Sequence, residues 1–415
     1  MIRKLNPARE TWMRTNETSA IMDALDASQG SARFVGGAVR NALLGRKVQD
    51  IDIATVFLPE DVILRLESAG IKAVPTGIEH GTVTAVFDGK AFEVTTLRRD
   101  VATDGRHATV AFSDSWSLDA QRRDFTINAL YASPDGEIFD YTGGLGDLDT
   151  RRVRFIGDPV ARIREDYLRI LRLFRFHAWY GLGEIDGEAL AAARAERAGL
   201  RRLSGERIRN EILRLLEAEN PCPAVRAMTE AGILREIIHC ETRSARLDRL
   251  VHIGAENLMD ADPVLRLAAL LPDDAGVASA FTERLRFSRE NRDRLVELVV
   301  ARENLRPSLP DCELRAMLYR LGTRRVQDRI FLCWADDPDD SHANAWRSLL
   351  SIADAWTPPR FPLTGADVMA EGIPEGPLVG KVLSELEAWW VVNDFAPDRA
   401  ALRERLKKVG KTATE

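Results

Sequence analysis

Apolar and polar residues alternate in short runs between Arg33 and about Tyr141: ARFVGG, QDIDIAT, TVTAVF, AFEVTTL and EIFDYT. Period-two alternation of this length predicts strands. TVTAVF and AFEVTTL flank Asp88-Gly89, a dipeptide suited to a tight reversal, so they are expected to pair as a hairpin. Between the strands, VRNALLG and RRDFTINALYA have helical spacing and predict an α/β head. The first 30 residues carry a helical pattern that stops at Gly30-Ser31, and TGGLGDLDTRR marks the exit from the head. From about Asp158 the period becomes helical and no strand pattern survives. DPVARIREDYLRILRLFRFHAWYG predicts one long helix and GERIRNEILRLLEAE another, while PDDAGVAS, RPSLPD and TPPRFPLTG are breaks. The expected fold class is α+β, a head with a small mixed β-sheet followed by all-α neck, body and tail. The expected division is residues 1–30, 31–150, 151–220, 221–325 and 326–415.

A chain of 415 residues is too long for one ordinary core, which agrees with several domains. With 45% hydrophobic and 29% charged residues, it reads as a soluble globular protein. No stretch approaches the roughly 18 apolar residues of a membrane span. MIRKLNPARETWMR lacks the apolar centre of a secretory signal. Cys222, Cys240, Cys312 and Cys333 form no CxxC pair, so neither a disulfide framework nor a zinc ribbon is expected. The expected location is the cytoplasm, with no membrane partner and the oligomeric state open. A net charge of −6 argues against a nucleic-acid partner until its distribution is considered. Arg151 to Arg235 holds 17 arginines, no lysine and 12 acidic residues, a net +5 that leaves −11 for the rest. The middle of the chain is basic.

Candidate chemistry concentrates in FVGGAVRNALLGRKVQDIDIAT. On a strand, Asp50 and Asp52 share a face while Ile51 and Ile53 take the other. Two carboxylates so placed offer hard oxygen ligands to Mg²⁺. Burying them together without a cation would cost several kcal/mol. Gly36 and Gly37 allow backbone N–H groups to approach phosphate, the next helix N-terminus adds positive potential, and Arg40 is one turn in. Glu93 would flank the aspartates if the two strands are neighbours; otherwise it is a solvent-facing strand residue.

In order along the chain, GGAVRN…DID, PTGIEHGTVTAVF, EVTTLRRDVATDGRHATVAF, RRDFTINAL and EDYLRILRLFRF resemble the signatures of the class II nucleotidyltransferase family. That family holds the CCA-adding enzymes and bacterial poly(A) polymerases. The resemblance is dense over about residues 33–217 and only compositional beyond. It implies a template-independent enzyme that extends tRNA 3′ ends with CTP and ATP, using two Mg²⁺ ions held by Asp50 and Asp52. It also implies that Arg123, Asp124 and Asn128 contact the nucleotide sugar and phosphates. Glu165, Asp166, Arg169 and Arg172 would lie on the nucleotide-reading helix.

There Asp166 can accept the exocyclic amine of cytosine or adenine, and Arg169 can donate to ring acceptors. Uracil and guanine would set a carbonyl oxygen against the carboxylate. The resemblance gives Glu165 the task of orienting the arginine. Without it, the same residues read as a structural ion-pair network. Asp100 to Val110 resembles the flexible loop needed to switch from C to A, with Asp104, Gly105 and Arg106 at its tip; a plain surface loop is the alternative. The tRNA acceptor arm and elbow are the expected partners of the neck and helical remainder, with Arg201, Arg202 and RERLKKVGK contributing.

One departure from the family pattern is Asn41 where members usually have Asp after the arginine, which bears on the support of Arg40. The six histidines form no His-Asp pair, and His80 and His107 have no clustered partners. An A-adding partial enzyme, a poly(A) polymerase and a non-catalytic tRNA-binding protein remain the alternatives.

Overall fold

The computed structural model describes residues 3–104, 107–300 and 305–414. Two compact units are present: residues 1–242 with 284–286, and residues 243–283 with 287–415.

The first unit contains every strand among the described residues. A seven-stranded mixed sheet has the order β3-β4-β5-β2-β1-β8-β9. Its members are β1 (Ala32–Val35), β2 (Asp52–Thr55), β3 (Lys72–Gly77), β4 (Thr82–Phe87), β5 (Lys90–Thr96), β8 (Leu130–Ala132) and β9 (Ile138–Asp140). A separate ribbon pairs β6 (Arg98–Asp104) with β7 (His107–Phe112). Only β2 and β5 run parallel; the other neighbours in the main sheet are antiparallel. The expected hairpin is β4-β5, with Asp88 and Gly89 both at positive φ, as a two-residue hairpin turn demands. Alternation buries both faces at the sheet centre. Phe34, Ile53 and Val94 are buried on one side, and Val35 and Ala54 join Tyr131 and Ile156 on the other.

Helices α1 (Asn16–Ala24), α2 (Gly37–Leu43), α3 (Pro59–Ser68), α4 (Trp116–Gln121) and α5 (Gly144–Asp149) accompany the sheet. The rest of the unit is helical: α6 (Pro159–Glu165), α7 (Leu168–Tyr180), α8 (Gly187–Glu196), α9 (Gly205–Leu216), α10 (Cys222–Glu230) and α11 (Ile233–Ile238).

Two local expectations are corrected, and one further helix is present. RRDFTINALYA is no helix: after α4 the chain makes a 3₁₀ turn at Thr126–Asn128 and enters β8. Its apolar LYA run is that of an interior strand buried at every position, and β8 pairs with β1 through Phe34 and Val35. TGGLGDLDTRR, the passage marking the exit from the head, also contains the short helix α5, which the pattern did not predict. The long helix predicted from Asp158 is two, because Asp166 has extended backbone (φ −155, ψ 108) between α6 and α7.

The second unit is helical throughout its described residues, from Ser244–Glu256 to Arg399–Thr414. Its C-terminal core gathers Val368, Leu386, Trp390, Leu402 and Leu406. Arg246, buried on the Ser244–Glu256 helix, donates to the carbonyls of Ala268 and Ala269 and so satisfies the end of Pro263–Leu270. No helix among the described residues is long and apolar enough to cross a membrane.

Candidate functional site

The parallel pairing of β2 with β5 sets Asp52 opposite Glu93. β2 begins at Asp52, so Asp50 is carried by the irregular approach to the strand. Asp50 and Glu93 are exposed, and Asp52 is half-buried. Burial, then the charge of Glu93, pushes the Asp52 carboxyl above its ordinary range; Asp50 adds to this, while Arg123 and Arg40 oppose it. Such crowding is the electrostatic condition that a divalent cation relieves. Among the described residues, no group of three or more His, Cys, Asp or Glu is arranged as a complete metal cage. The carboxylates nevertheless fit a hard cation of the Mg²⁺ kind, which binds through one or two carboxylates and takes other ligands from water and substrate phosphate.

Gly36 lies between β1 and α2, and Gly37 is the first residue of α2. Gly36 has φ +68 and ψ −119 as N-cap, and its N–H donates to the Leu130 carbonyl of β8. A Cβ on Gly36 would reach Arg123 Nη1 and the Asn128 carbonyl at 3.6 Å, so this turn and the RRDFTIN turn are in close apposition. Arg40, on α2, is 6% exposed. Its guanidinium donates to Asn128 Oδ1, to Asn41 Oδ1 at 3.1 Å and to the Tyr180 hydroxyl at 2.8 Å. All three acceptors are neutral. Burial lowers the Arg40 pKa, with Tyr180 and Asp124 opposing the shift. A buried guanidinium whose direct partners carry no charge retains its attraction for an anion such as phosphate.

Asp124 links this turn to α7. Its carboxylate accepts from Phe125 N at 2.8 Å, Asn128 Nδ2 at 3.0 Å and Arg172 Nε at 2.8 Å. The hydrogen bonds thus run from Arg172 through Asp124 and Asn128 to Arg40. Arg123 is held separately, by Asp119 Oδ2 at 3.1 Å and the Tyr131 hydroxyl at 3.2 Å. Burial alone would raise the Asp119 pKa, but Arg123, Arg122 and Tyr131 outweigh it and hold the group at about 2.

At the break between α6 and α7, Glu165 accepts from Arg162 at 2.7 Å and also from Arg169. Glu165 and Arg169 are thus in direct contact. Both side-chain hydrogen bonds found for Arg169 leave from Nη1, the second reaching the Arg162 carbonyl at 2.8 Å. Asp166 turns to α9: one oxygen accepts from Arg207 at 2.7 Å and the other from Leu168 N at 3.1 Å. Arg172 belongs to the Asp124 pair, so the four residues expected on one helix fall into separate pairs: Glu165 with Arg169, Asp166 with Arg207, and Arg172 with Asp124. Asp104 is in β6, but Gly105 and Arg106 lie outside the described residues.

A cavity of 610 Å³ opens beside these groups, lined by Gly37, Arg40, Asp50 and Asp52 on the sheet side and by Trp179 and Tyr180 of α7.

Comparison with known proteins decides the family. Residues 32–154 match the family described as "Poly A polymerase head domain", and residues 184–240 match "Probable RNA and SrmB- binding site of polymerase A". The chain is 33% identical over 404 residues to the mitochondrial CCA tRNA nucleotidyltransferase 1 of Danio rerio, covering 95% of this chain and 91% of that protein. It is 30% identical over 391 residues to the CCA-adding enzyme of Levilactobacillus brevis, covering 92% and 95%. The chain belongs to the CCA-adding tRNA nucleotidyltransferase family.

A solved structure agrees over nearly the whole length. The Bacillus stearothermophilus CCA-adding enzyme, in complex with CTP, superposes with a TM-score of 0.75 at 27% identity, covering 97% of this chain and 99% of that one. Within this family frame, four side chains that sequence reasoning passed over support the site: Tyr180, Arg162, Asp119 and Tyr131. Arg162 donates to the carbonyls of Gln121 and Arg123 at 2.7 and 2.6 Å, fastening the α6–α7 break to the RRDFTIN turn. Asp119 was discoverable, since Arg122 and Arg123 follow it at helical spacing. Tyr180 carries no such local signal.

Proposed function

We propose that the protein adds or repairs the CCA end of tRNA, transferring CMP and AMP from CTP and ATP to the RNA 3′-hydroxyl with release of diphosphate. The reading is carried by Asp52 in register with Glu93 beside a buried, neutrally partnered Arg40, in a chain 33% identical over 404 residues to a CCA tRNA nucleotidyltransferase. The family reaction depends on a divalent metal. Asp50 and Asp52, with Glu93 alongside, would hold Mg²⁺, and two bound ions would supply charge neutralisation of the triphosphate and activation of the 3′-hydroxyl.

This chain's own residues do the positioning that phosphoryl transfer chiefly needs. The Gly36-Gly37 turn and Arg40 receive the triphosphate. Arg123, Asp124 and Asn128 form the wall against which the sugar rests. Asp166 has two of its roughly four lone-pair sites occupied, which leaves capacity to accept a base amine. Arg169, held through Nη1, keeps other donors for ring acceptors. Cytosine and adenine match this pair, whereas uracil and guanine oppose acceptor to acceptor. The arginine-bearing helices from Arg151 onward would cradle the acceptor arm and elbow, and Arg201 and Arg202 are candidates for that surface.

The deciding experiment offers labelled CTP and ATP, singly and together, to tRNA transcripts ending before CCA, at C and at CC. Addition of two C residues and one A, then arrest, is expected. Gain of A only on the CC-ending transcript would make it an A-adding enzyme. Long A tails without C would make it a poly(A) polymerase, and no incorporation with Mg²⁺ would leave a binding protein.

A further inference from the structure

A second hollow of 460 Å³ adjoins the cavity beside Asp50 and Asp52, and Arg46 and Trp179 line both. These two side chains form the ridge between the hollows. Lys47 and Arg214 line the first hollow, and Arg151 lines the second. Arg46, Lys47 and Arg214 are exposed and Arg151 is half-buried. Among the described residues, no ion pair is found for any of these four cations. Nearby arginines differ: Arg152 is paired with Asp186, Arg154 with Asp147 and Arg175 with Glu211. Apart from the two aspartates, the acids on the linings are Glu217 and Glu219, both exposed.

The aromatic surface of the ridge belongs to Trp179. Tyr180 already carries Arg40 over its ring at 4.0 Å and Arg46 at 5.1 Å. Trp179 is half-buried, and its indole N–H donates to the Arg214 carbonyl at 2.6 Å, which fixes the ring. A fixed indole flanked by cations that lack carboxylate partners is the composition of a single-stranded nucleic-acid track: bases stack on the ring and phosphates follow the charges.

We propose that the two hollows form one track for the unpaired 3′ end of the RNA substrate, with a base stacked on Trp179 and phosphates drawn to Arg46, Lys47, Arg151 and Arg214. The inference rests on the transfer reaction above, which brings the RNA 3′-hydroxyl to Asp50 and Asp52. The strand behind that hydroxyl must then leave through space adjoining the aspartates.

The test uses the full chain and two readouts. One is the KM for tRNA ending before CCA, measured alongside the KM for CTP and ATP. The other is direct binding of a fluorescein-labelled single-stranded RNA ending in CC, without nucleotide. Trp179→Ala should raise the RNA KM and the oligonucleotide Kd about tenfold, as loss of one stacked base does, and leave the nucleotide KM values unchanged. Trp179→Phe keeps a ring and should stay close to the parent protein. Lys47→Ala, at an exposed position, should lower the slope of log affinity against log salt by about 0.7, one phosphate contact on a single strand. Unchanged RNA binding and salt slope in both Trp179→Ala and Lys47→Ala would overturn the proposal. So would an equal rise in the nucleotide KM, which would assign the hollow to the nucleotide. A loss in Trp179→Phe as large as in Trp179→Ala would replace stacking by the indole hydrogen bond. Should the parent protein bind the oligonucleotide with these dependences yet add no nucleotide, the transfer reading fails and the track stands.

Discussion

Arg172 Nε donates to Asp124 Oδ2 at 2.8 Å, so a residue of α7 and a residue of the turn before β8 share one largely buried charge pair. Burial would raise the Asp124 pKa, but Arg172, Asn128 and the Phe125 N–H override it and hold the carboxyl well below the usual range. A depressed carboxyl contributes stability above its unfolded pKa, near 3.8, and loses it as pH falls toward the folded value. Asp124→Asn is therefore expected to cost about 3 kcal/mol at pH 7, the lower end for breaking a buried pair because Arg172 keeps some solvent. The gap from the parent protein should shrink as pH drops below about 4. Denaturant titrations at both pH values check this, and a gap of constant size would refute it.

Asp52→Asn keeps the shape of the strand and removes the crowded carboxylate. Incorporation should fall about 10³-fold or more, since metal-held charge stabilisation supplies several kcal/mol. Affinity for tRNA should stay within twofold, on the order of experimental scatter. Appreciable turnover by Asp52→Asn in Mg²⁺ would remove the metal assignment.

Asn41 touches Arg40 without neutralising it. Asn41→Asp would convert that contact into a charge-assisted bond worth about 1 kcal/mol more. A rise of about 2–4 °C in melting temperature is expected for a unit of this size. A melting curve that does not move would show that neutral acceptors already satisfy Arg40.

Asp166→Asn replaces an obligate acceptor by an amide that can also donate. Uracil then loses its acceptor clash, and discrimination of CTP over UTP should drop about tenfold or more. Competition assays with paired nucleotides measure this directly. Unaltered discrimination would move base reading away from Asp166.

Much of this arrangement was legible in local sequence, and two of the misses share one physical origin. The β4-β5 hairpin depends on alternation and an Asp88-Gly89 turn, both local, so it could be read directly. Asp50, Asp52 and the glycine turn were legible because their spacing is itself the signal, although the strand starts later than the alternation implied. The break at Asp166 was not legible: VARIREDYLRIL contains neither Gly nor Pro. It is accompanied by distant contacts, Asp166 with Arg207 on α9 and Arg162 with carbonyls near residue 122. RRDFTINALYA was misread for the same reason, since its strand pairs with β1, nearly a hundred residues upstream in sequence. Tyr180 could not be singled out, because an aromatic at the end of an apolar helix is ordinarily core.

The link from Arg172 to Arg40 also limits how this protein can be recombined. The family head domain matches residues 32–154, yet Arg172 and Tyr180, which complete the support of Arg40, lie beyond that limit. A chimera spliced at the domain edge would pair one parent's glycine turn with the other parent's α7 and leave Arg40 among partners of foreign spacing. A crossover placed after Tyr180 carries the whole hydrogen-bonded set together, and is the junction at which heads of different relatives should interchange.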